Sequence, residues 1–296
     1  MSIEKKTEGT EKLAKLMALI DGSIYAQSVC DHAAWVAMRG RMSVEVVHVL
    51  GRRDTTTVPV NLSGSIGLGA RTALLEELVE LDAQKAKLAH KRGRIILDEA
   101  KASLLEAGVS DVSTRLRNED IVETIQTFED GAEIIVIGKR GEAADFATLH
   151  LGSNLERVVR ASHHPVLVAS RAFKPIERLL IAFDGGQSVL KAVDYISTSP
   201  LFVGLECRLL SVGPETDAMK SQLGVAVEQL CAAGLSASAE VVQGHADEVI
   251  AKAVEAGAAD LLVMGAYGHS RIRNLIIGST TTQMIQSCKI PVMLFR

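Results

Sequence analysis

The stretch Asp260-Leu-Leu-Val-Met-Gly265-Ala-Tyr-Gly268-His-Ser-Arg271-Ile-Arg273-Asn-Leu-Ile-Ile-Gly278-Ser279-Thr280 decides the reading of this chain. An apolar run of strand length ends in glycine, a glycine-spaced loop follows, and Gly278-Ser279 opens the next helix. Bare backbone at Gly265 and Gly268 lets main-chain N–H groups approach an anion. A helix start then faces that anion with unpaired N–H groups and the positive end of its dipole. The stretch reads as a phosphate site at the end of a buried strand. His269, Arg271 and Arg273 add positive charge at its border, weighed against plain solvated loop charge, which exposed arginine often is.

The chain is written twice. Glu133-Ile-Ile-Val-Ile-Gly138 with Gly141 matches Asp260 to Gly265 with Gly268, and Gly152-Ser153 matches Gly278-Ser279. Upstream, Leu16-Met-Ala-Leu-Ile-Asp21-Gly22 matches Leu179-Leu-Ile-Ala-Phe-Asp184-Gly185; downstream, Pro165-Val-Leu-Val-Ala matches Pro291-Val-Met-Leu-Phe. Four anchors in one order are an internal duplication. The aspartates lie 184 − 21 = 163 residues apart and the first glycines 265 − 138 = 127, so the first copy carries 163 − 127 = 36 more residues. They fall after the strand Val44-Glu-Val-Val-His-Val49, in a Gly/Ser/Thr-rich stretch over 55–69 and in a long helix over 71–107. That helix has one apolar face (Leu74, Leu75, Leu78, Leu81, Leu88, Ile95, Ile96), and a break or bend is expected at Gly93. The domains implied are 1–172, with an insertion at about 51–90, and 173–296. An insertion of this size suits a lid or an element joining two chains.

In the second copy the pattern predicts strands at 178–183, 207–212, 236–243, 260–264 and 290–295, with helices between them. Short, continuously apolar strands alternating with amphipathic helices give α/β architecture: two tandem five-stranded parallel sheets, each doubly wound and covered on both faces. In such sheets the ligand crevice lies outside the carboxyl ends of the strands where strand order reverses. Asp184 and Gly265 meet there if their strands are neighbours.

Composition narrows the function. A net charge of −4 offers no basic surface for nucleic acid. Only 3% of residues are aromatic, so the core must be built from Ala, Val, Leu and Ile. Cys30, Cys207, Cys231 and Cys288 show no C-x-x-C spacing and read as free thiols. The polar first residues carry no signal peptide and no run is long enough for a bilayer, so no membrane partner and a cytoplasmic location are expected. His163-His164 are expected to cap a helix end rather than bind metal, and His32 to sit on an amphipathic helix; no metal site is expected.

Taken in order, the strand ending in Asp-Gly, the run Gly265, Gly268, Gly278-Ser279 and the closing Pro-Val strand resemble the universal stress protein family in its tandem form. The resemblance covers nearly the whole chain. It implies a Rossmann-like fold akin to the adenine-nucleotide alpha hydrolases and a nucleotide-dependent stress-response role, with ATP as ligand, accompanied by Mg²⁺, and AMP or ADP as alternatives. Carried over position by position, the nucleotide-binding residues would be Asp184, Val212, Met264, Gly265, Gly268, His269, Arg271, Gly278, Ser279 and Thr280. The aspartate would serve the adenosine end, the glycine loop and hydroxyls the ribose and phosphates, and the valine the base. A second site would use Asp21, Val49, Gly138, Gly141, Gly152 and Ser153. There Glu142 and Asp145 stand where the other copy is basic, and ten residues separate Gly141 from Gly152 against nine between Gly268 and Gly278. ATP is therefore expected mainly in the second copy. The resemblance also implies that the last strands of the two copies pair across a dyad. A homodimer pairing through the last strands and a regulatory protein partner are expected as well.

An enzyme is the competing reading. Asp184-Gly-Gly-Gln-Ser188 superficially resembles the pyrophosphate loop of adenylating enzymes, which would make the protein a slow ATPase or nucleotidyl-type enzyme. However, Asp184 replaces that loop's first serine and Ser188 its aspartate. No Gly-x4-Gly-Lys-Ser/Thr run exists for a P-loop, and Gly-x-Gly-x-x-Gly follows neither first strand. No catalytic residue is assigned, so binding is expected over turnover. A third class, an interaction module whose glycines only form turns, is separated from the others by nucleotide titration.

Overall fold

The computed structural model describes residues 13–51, 68–141, 152–266 and 277–296. The first copy comprises β1 (Lys15–Ile20), α1 (Ala26–Gly40), β2 (Ser43–Val49), α2 (Leu68–Glu106), β3 (Val112–Arg117), α3 (Ile121–Phe128), β4 (Ala132–Gly138), α4 (Ser153–Ala161) and β5 (Val166–Ala169). The second comprises β6 (Arg178–Ala182), α5 (Gln187–Thr198), β7 (Glu206–Val212), α6 (Asp217–Ala232), β8 (Ser236–Val242), α7 (Ala246–Glu255), β9 (Leu261–Gly265), α8 (Ser279–Ser287) and β10 (Val292–Phe295). The strand-helix alternation expected for the second copy is present, with boundaries shifted by a few residues.

The strands form one ten-stranded sheet in the order β3-β2-β1-β4-β5-β10-β9-β6-β7-β8. Within each copy all pairs are parallel, and β1 is flanked by β2 and β4 as β6 is by β7 and β9. Strand order thus reverses at β1/β4 and β6/β9. The unbroken apolar runs follow from burial on both faces. In β1, Leu16, Ala18 and Ile20 enter one core while Met17 and Leu19 enter the other, and β4 splits the same way into Ile134 and Val136 against Ile135 and Ile137. Helices α1, α2, α5 and α6 cover the first face and α3, α4, α7 and α8 the second.

The copies join where β5 and β10 pair antiparallel, Leu167 opposite Met293 and Val168 opposite Val292. All four side chains are buried. The expected dyad pairing of last strands is therefore realised inside one chain. This corrects the expectation that those strands pair two chains, because β5 and β10 each already have a neighbour on both sides. Among the described residues the sheet edges are β3 and β8, both marked by polar residues such as Arg115, Arg117, Ser236 and Glu240, as sheet edges facing water require.

Helix α2 runs unbroken for 39 residues, against 16 in its counterpart α6. Gly93 does not interrupt it. A Cβ there would stand 2.7 Å from Leu116 Cδ1 and 3.0 Å from His48 Cδ2, so glycine lets the helix lie close against β2 and β3. The Gly/Ser/Thr-rich stretch before it lies largely outside the described residues. Cys30, Cys207 and Cys288 are buried and Cys231 is exposed, all as free thiols. Burial pushes the Cys30 and Cys288 thiols up to about 11 and that of Cys207 to about 12, which keeps them protonated and inert at neutral pH. Among the described residues no helix is long and apolar enough to cross a membrane.

Candidate functional site

In the first copy, five of the six expected residues line one cleft at the carboxyl ends of β1, β2 and β4: Asp21, Val49, Gly138, Gly141 and Gly152. The backbone of Ser153 begins α4 directly after Gly152. The floor is apolar, with Leu19, Val47 and Ile137 from the strands and Ile121 and Leu155 from the helices. Each glycine has a local reason. A Cβ on Gly138 would lie 2.8 Å from Tyr25 Cβ, and one on Gly141 would lie 3.0 Å from Asp21 Oδ2. A Cβ on Gly152 would lie 3.4 Å from both Arg140 Cα and Gly141 N. The strand end, the aspartate and the helix start thus converge only because three side chains are missing. Asp21 is held by its own turn, its Oδ1 accepting the Ser23 N–H at 3.0 Å.

The second copy repeats the arrangement. Asp184 follows β6, and its Oδ1 accepts the Gly186 N–H at 2.9 Å just before α5. Gly265 ends β9, and α8 is fastened to that strand end: Thr281 Oγ1 donates to Gly265 O at 3.0 Å, and Gly278 N to Ala266 O at 3.1 Å. Val212 ends β7 half-buried, and Met264 lies buried on the side of the sheet that carries Ile137 in the first copy. Ser279 is exposed and Thr280 partly so at the helix start. Gly268, His269, Arg271 and Arg273 lie outside the described residues, as do Glu142 and Asp145 of the first copy.

The two helix starts differ. Neither α4 nor α8 has a side-chain cap, glycine standing at the cap position of both, and the first N–H groups of a helix have no partner within the helix itself. The first turn of α4 carries Glu156, whereas that of α8 carries no acid. A carboxylate in the first turn competes with an anion for the positive end of the helix dipole, so the two helix starts differ in charge.

Lys139, between the first-copy glycines, does not face the cleft. Its Nζ donates to Cys288 O at 2.9 Å, at the end of α8 in the other copy, while Arg140 remains on the cleft wall. Burial lowers the Lys139 pKa from 10.5 to about 8, Cys288 and Arg140 contributing smaller opposing effects. Between those values the unfolded chain holds a proton that the folded protein releases, so stability gains a term that rises with pH from about 8 to 10.5. The melting temperature of wild type relative to Lys139→Met is expected to rise across that range, a difference in which the falling contribution of the buried thiols, common to both proteins, cancels.

Tyr25, Ile121 and Asn154 are among the cleft residues that were not anticipated. Tyr25 and Ile121 are ordinary core types in sequence, and Asn154 aligns with Thr280 by the same offset that relates Gly152 to Gly278, which is the signal that would have found it. His32 is a buried residue of α1, its Nδ1 2.6 Å from Ser28 O and its ring edge-on to Phe173. His163 does not cap the end of α4, whose cap residue is Ser162. Instead it latches α3, its N–H donating to Glu129 Oε2 at 3.1 Å and its Nδ1 lying 2.7 Å from Oε1.

The model of the universal stress protein family matches residues 13–170 and again 175–296. Universal stress protein Slr1230 of Synechocystis sp. is 38% identical over 287 residues, covering 96% of this chain and all of the relative. Among solved structures, a universal stress protein from Archaeoglobus fulgidus superposes with a TM-score of 0.65 at 20% identity, covering 96% of each chain. A functionally unknown protein from Pseudomonas aeruginosa reaches 0.57 at 15%, covering 96% of this chain and 92% of that one. These structural likenesses concern the fold.

Proposed function

The chain belongs to the universal stress protein family as a tandem of two such domains, and on that premise we propose that it is a nucleotide-responsive regulatory protein that binds ATP mainly in its second copy. The units are residues 1–172 and 173–296. The reading is carried by the start of α8: glycine-capped, free of acid in its first turn and tied to the end of β9 at the order reversal beside β6, which Asp184 follows. A phosphate chain would lie on the N–H groups of Ser279 and Thr280, with Asp184 accepting from ribose or adenine and Val212 against the base. His269 and Arg271, with Gly268, would border the phosphates, and Mg²⁺ would offset their remaining charge. The first copy offers Asp21, Val49, Gly138, Gly141, Gly152 and Ser153 to the same ligand class. Its Glu156, Glu142 and Asp145 disfavour a triphosphate, so AMP or ADP would compete better there.

Calorimetric titration with ATP and Mg²⁺ tests this. Wild type is expected to show a tight and a weak class of site. Asp184→Ala should weaken the tight class by about 10- to 100-fold, the loss of a hydrogen bond from a charged acceptor, and Asp21→Ala should move only the weak class. Absence of binding heat would leave the glycines as turn formers. Sustained ADP release that disappears with Asp184→Ala would make the protein an enzyme instead.

A further inference from the structure

We infer that α2 is a homodimerisation element, pairing antiparallel with α2 of a second copy about a two-fold axis near Ala83 and Gln84. This surface is separate from the proposed nucleotide chemistry and does not depend on it. Only the carboxyl-terminal part of the helix is embedded: Gly93, Leu97, Ala100 and Leu104 are buried, whereas no residue from Leu74 to Arg92 is. That earlier part is nonetheless apolar along one side. Leu74, Leu81, Leu88 and Ile95 recur every seven residues with Leu78 between, the spacing of helices that pack along their length. Along this side Leu88 is 67% exposed, and Leu81 and Ile95 are each more than 40% exposed. A contiguous apolar strip of this kind is an interaction surface in a soluble protein.

The charges identify the occupant. Along the sequence Glu76, Glu77, Glu80 and Asp82 follow one another with no Lys or Arg between them, and Lys85, Lys87, Lys91, Arg92 and Arg94 with no Asp or Glu between them. Between them lie the small Ala83 and the uncharged Gln84. A second copy laid parallel would set acid on acid and base on base. Laid antiparallel and centred on 83–84, it sets each acidic block on the partner's basic block, twice, as a self-complementary two-fold contact requires. The strip also continues into a groove between α2 and the start of α1, lined by Leu88, Lys91, Ile95 and Ile96 on one side and Ile24 on the other. This groove seats the Leu74 end of the partner helix. It shares Asp21 with the first-copy cleft, so the partner helix would border the mouth of that site.

Light scattering of the full chain at low salt is expected to give twice the chain mass, falling toward the monomer at high salt as the blocks are screened. Leu81→Glu/Leu88→Glu should be monomeric with unchanged circular dichroism and melting, since both positions are exposed. Reversing the basic block (Lys85→Glu, Lys87→Glu, Lys91→Glu) should likewise give a monomer, and adding the reversed acidic block (Glu76→Lys, Glu77→Lys, Glu80→Lys) to the same chain should restore the dimer. In a Cys231→Ser background, Gln84→Cys should crosslink to itself readily and Glu76→Cys should not. A monomeric wild type, a dimer indifferent to Leu81→Glu/Leu88→Glu, or self-crosslinking at position 76 instead of 84 would overturn the proposal.

Discussion

Glu45→Ala is expected to lower the free energy of unfolding by about 2–4 kcal/mol, a large fraction of the stability of an ordinary domain. Glu45 is buried on β2, four residues before Val49 and so away from the crevice. Its Oε2 accepts Lys15 Nζ of β1 at 3.1 Å, and its Oε1 accepts both Nε and an Nη of Arg115 on β3, at 2.9 and 2.6 Å. One carboxylate therefore ties three strands. Deleting it leaves two cations against an apolar sheet with no acceptor. Their partial exposure, 27% for Lys15 and 37% for Arg115, places the cost below that of a fully buried pair. Burial alone would push the Glu45 carboxyl up, but the Arg115 and Lys15 bonds outweigh it and hold its pKa below the ordinary 4.5. The stabilisation is consequently present above pH 4.5 and lost as pH falls through the lower folded value. Urea unfolding from pH 7 to 3 should show wild type weakening below 4.5 and Glu45→Ala, or the milder Glu45→Gln, weakening less over that range. An equal loss in wild type and variant would place the acid sensitivity elsewhere.

The fold was legible in sequence because its two determinants are local. Strands such as Leu16 to Ile20 and Ile134 to Ile137 are apolar at consecutive positions, which only a sheet covered on both faces tolerates. The repeated glycine and aspartate anchors then fixed which strand ends meet. The candidate site was legible for the same reason: Asp21 meets Gly141, and Gly152 meets the loop backbone, because the sequence removes side chains at just those points. What local reading missed depends on long-range placement. Lys139 stands between Gly138 and Gly141 in sequence, yet the β5–β10 seam brings the carbonyl end of α8 within its reach and turns it away. Gly93 looks like a helix breaker, yet the tight approach of α2 to His48 and Leu116 makes it a packing residue. Tyr25 and Ile121 join the cleft only through the crossing of α1 and α3 at the strand ends.

The two copies share one scaffold and divide at their additions. The first carries a helix more than twice the length of its counterpart, while the second has a helix start without an acid. Both differences bear on the same crevice position. The long helix borders the groove beside Asp21, and the acid-free turn sits at the equivalent of Gly152.

The contrast between Gly138→Val and Gly141→Val tests whether the crevice is built for a ligand or only folded tightly. At Gly138 the new Cβ would meet Tyr25 Cβ at 2.8 Å, an atom fixed close to the backbone at the start of α1. It cannot yield without moving the helix, so this variant is expected to lose about 2–3 kcal/mol of stability. At Gly141 the obstacle is Asp21 Oδ2 at 3.0 Å, the end of a side chain that can rotate. Here the fold should survive with a melting temperature within a few degrees of wild type. The valine, however, displaces the carboxylate from the cleft and fills the space over the loop backbone. Titration of Gly141→Val with AMP and ATP should therefore show the weak class of site gone and the tight class untouched. Retention of both classes at wild-type affinity would mean that Gly141 serves the turn alone and that the first copy takes no nucleotide through Asp21. Loss of both classes with an intact fold would mean that the sites are coupled, and the bond from Lys139, two residues before Gly141, to the end of α8 is the physical link between them.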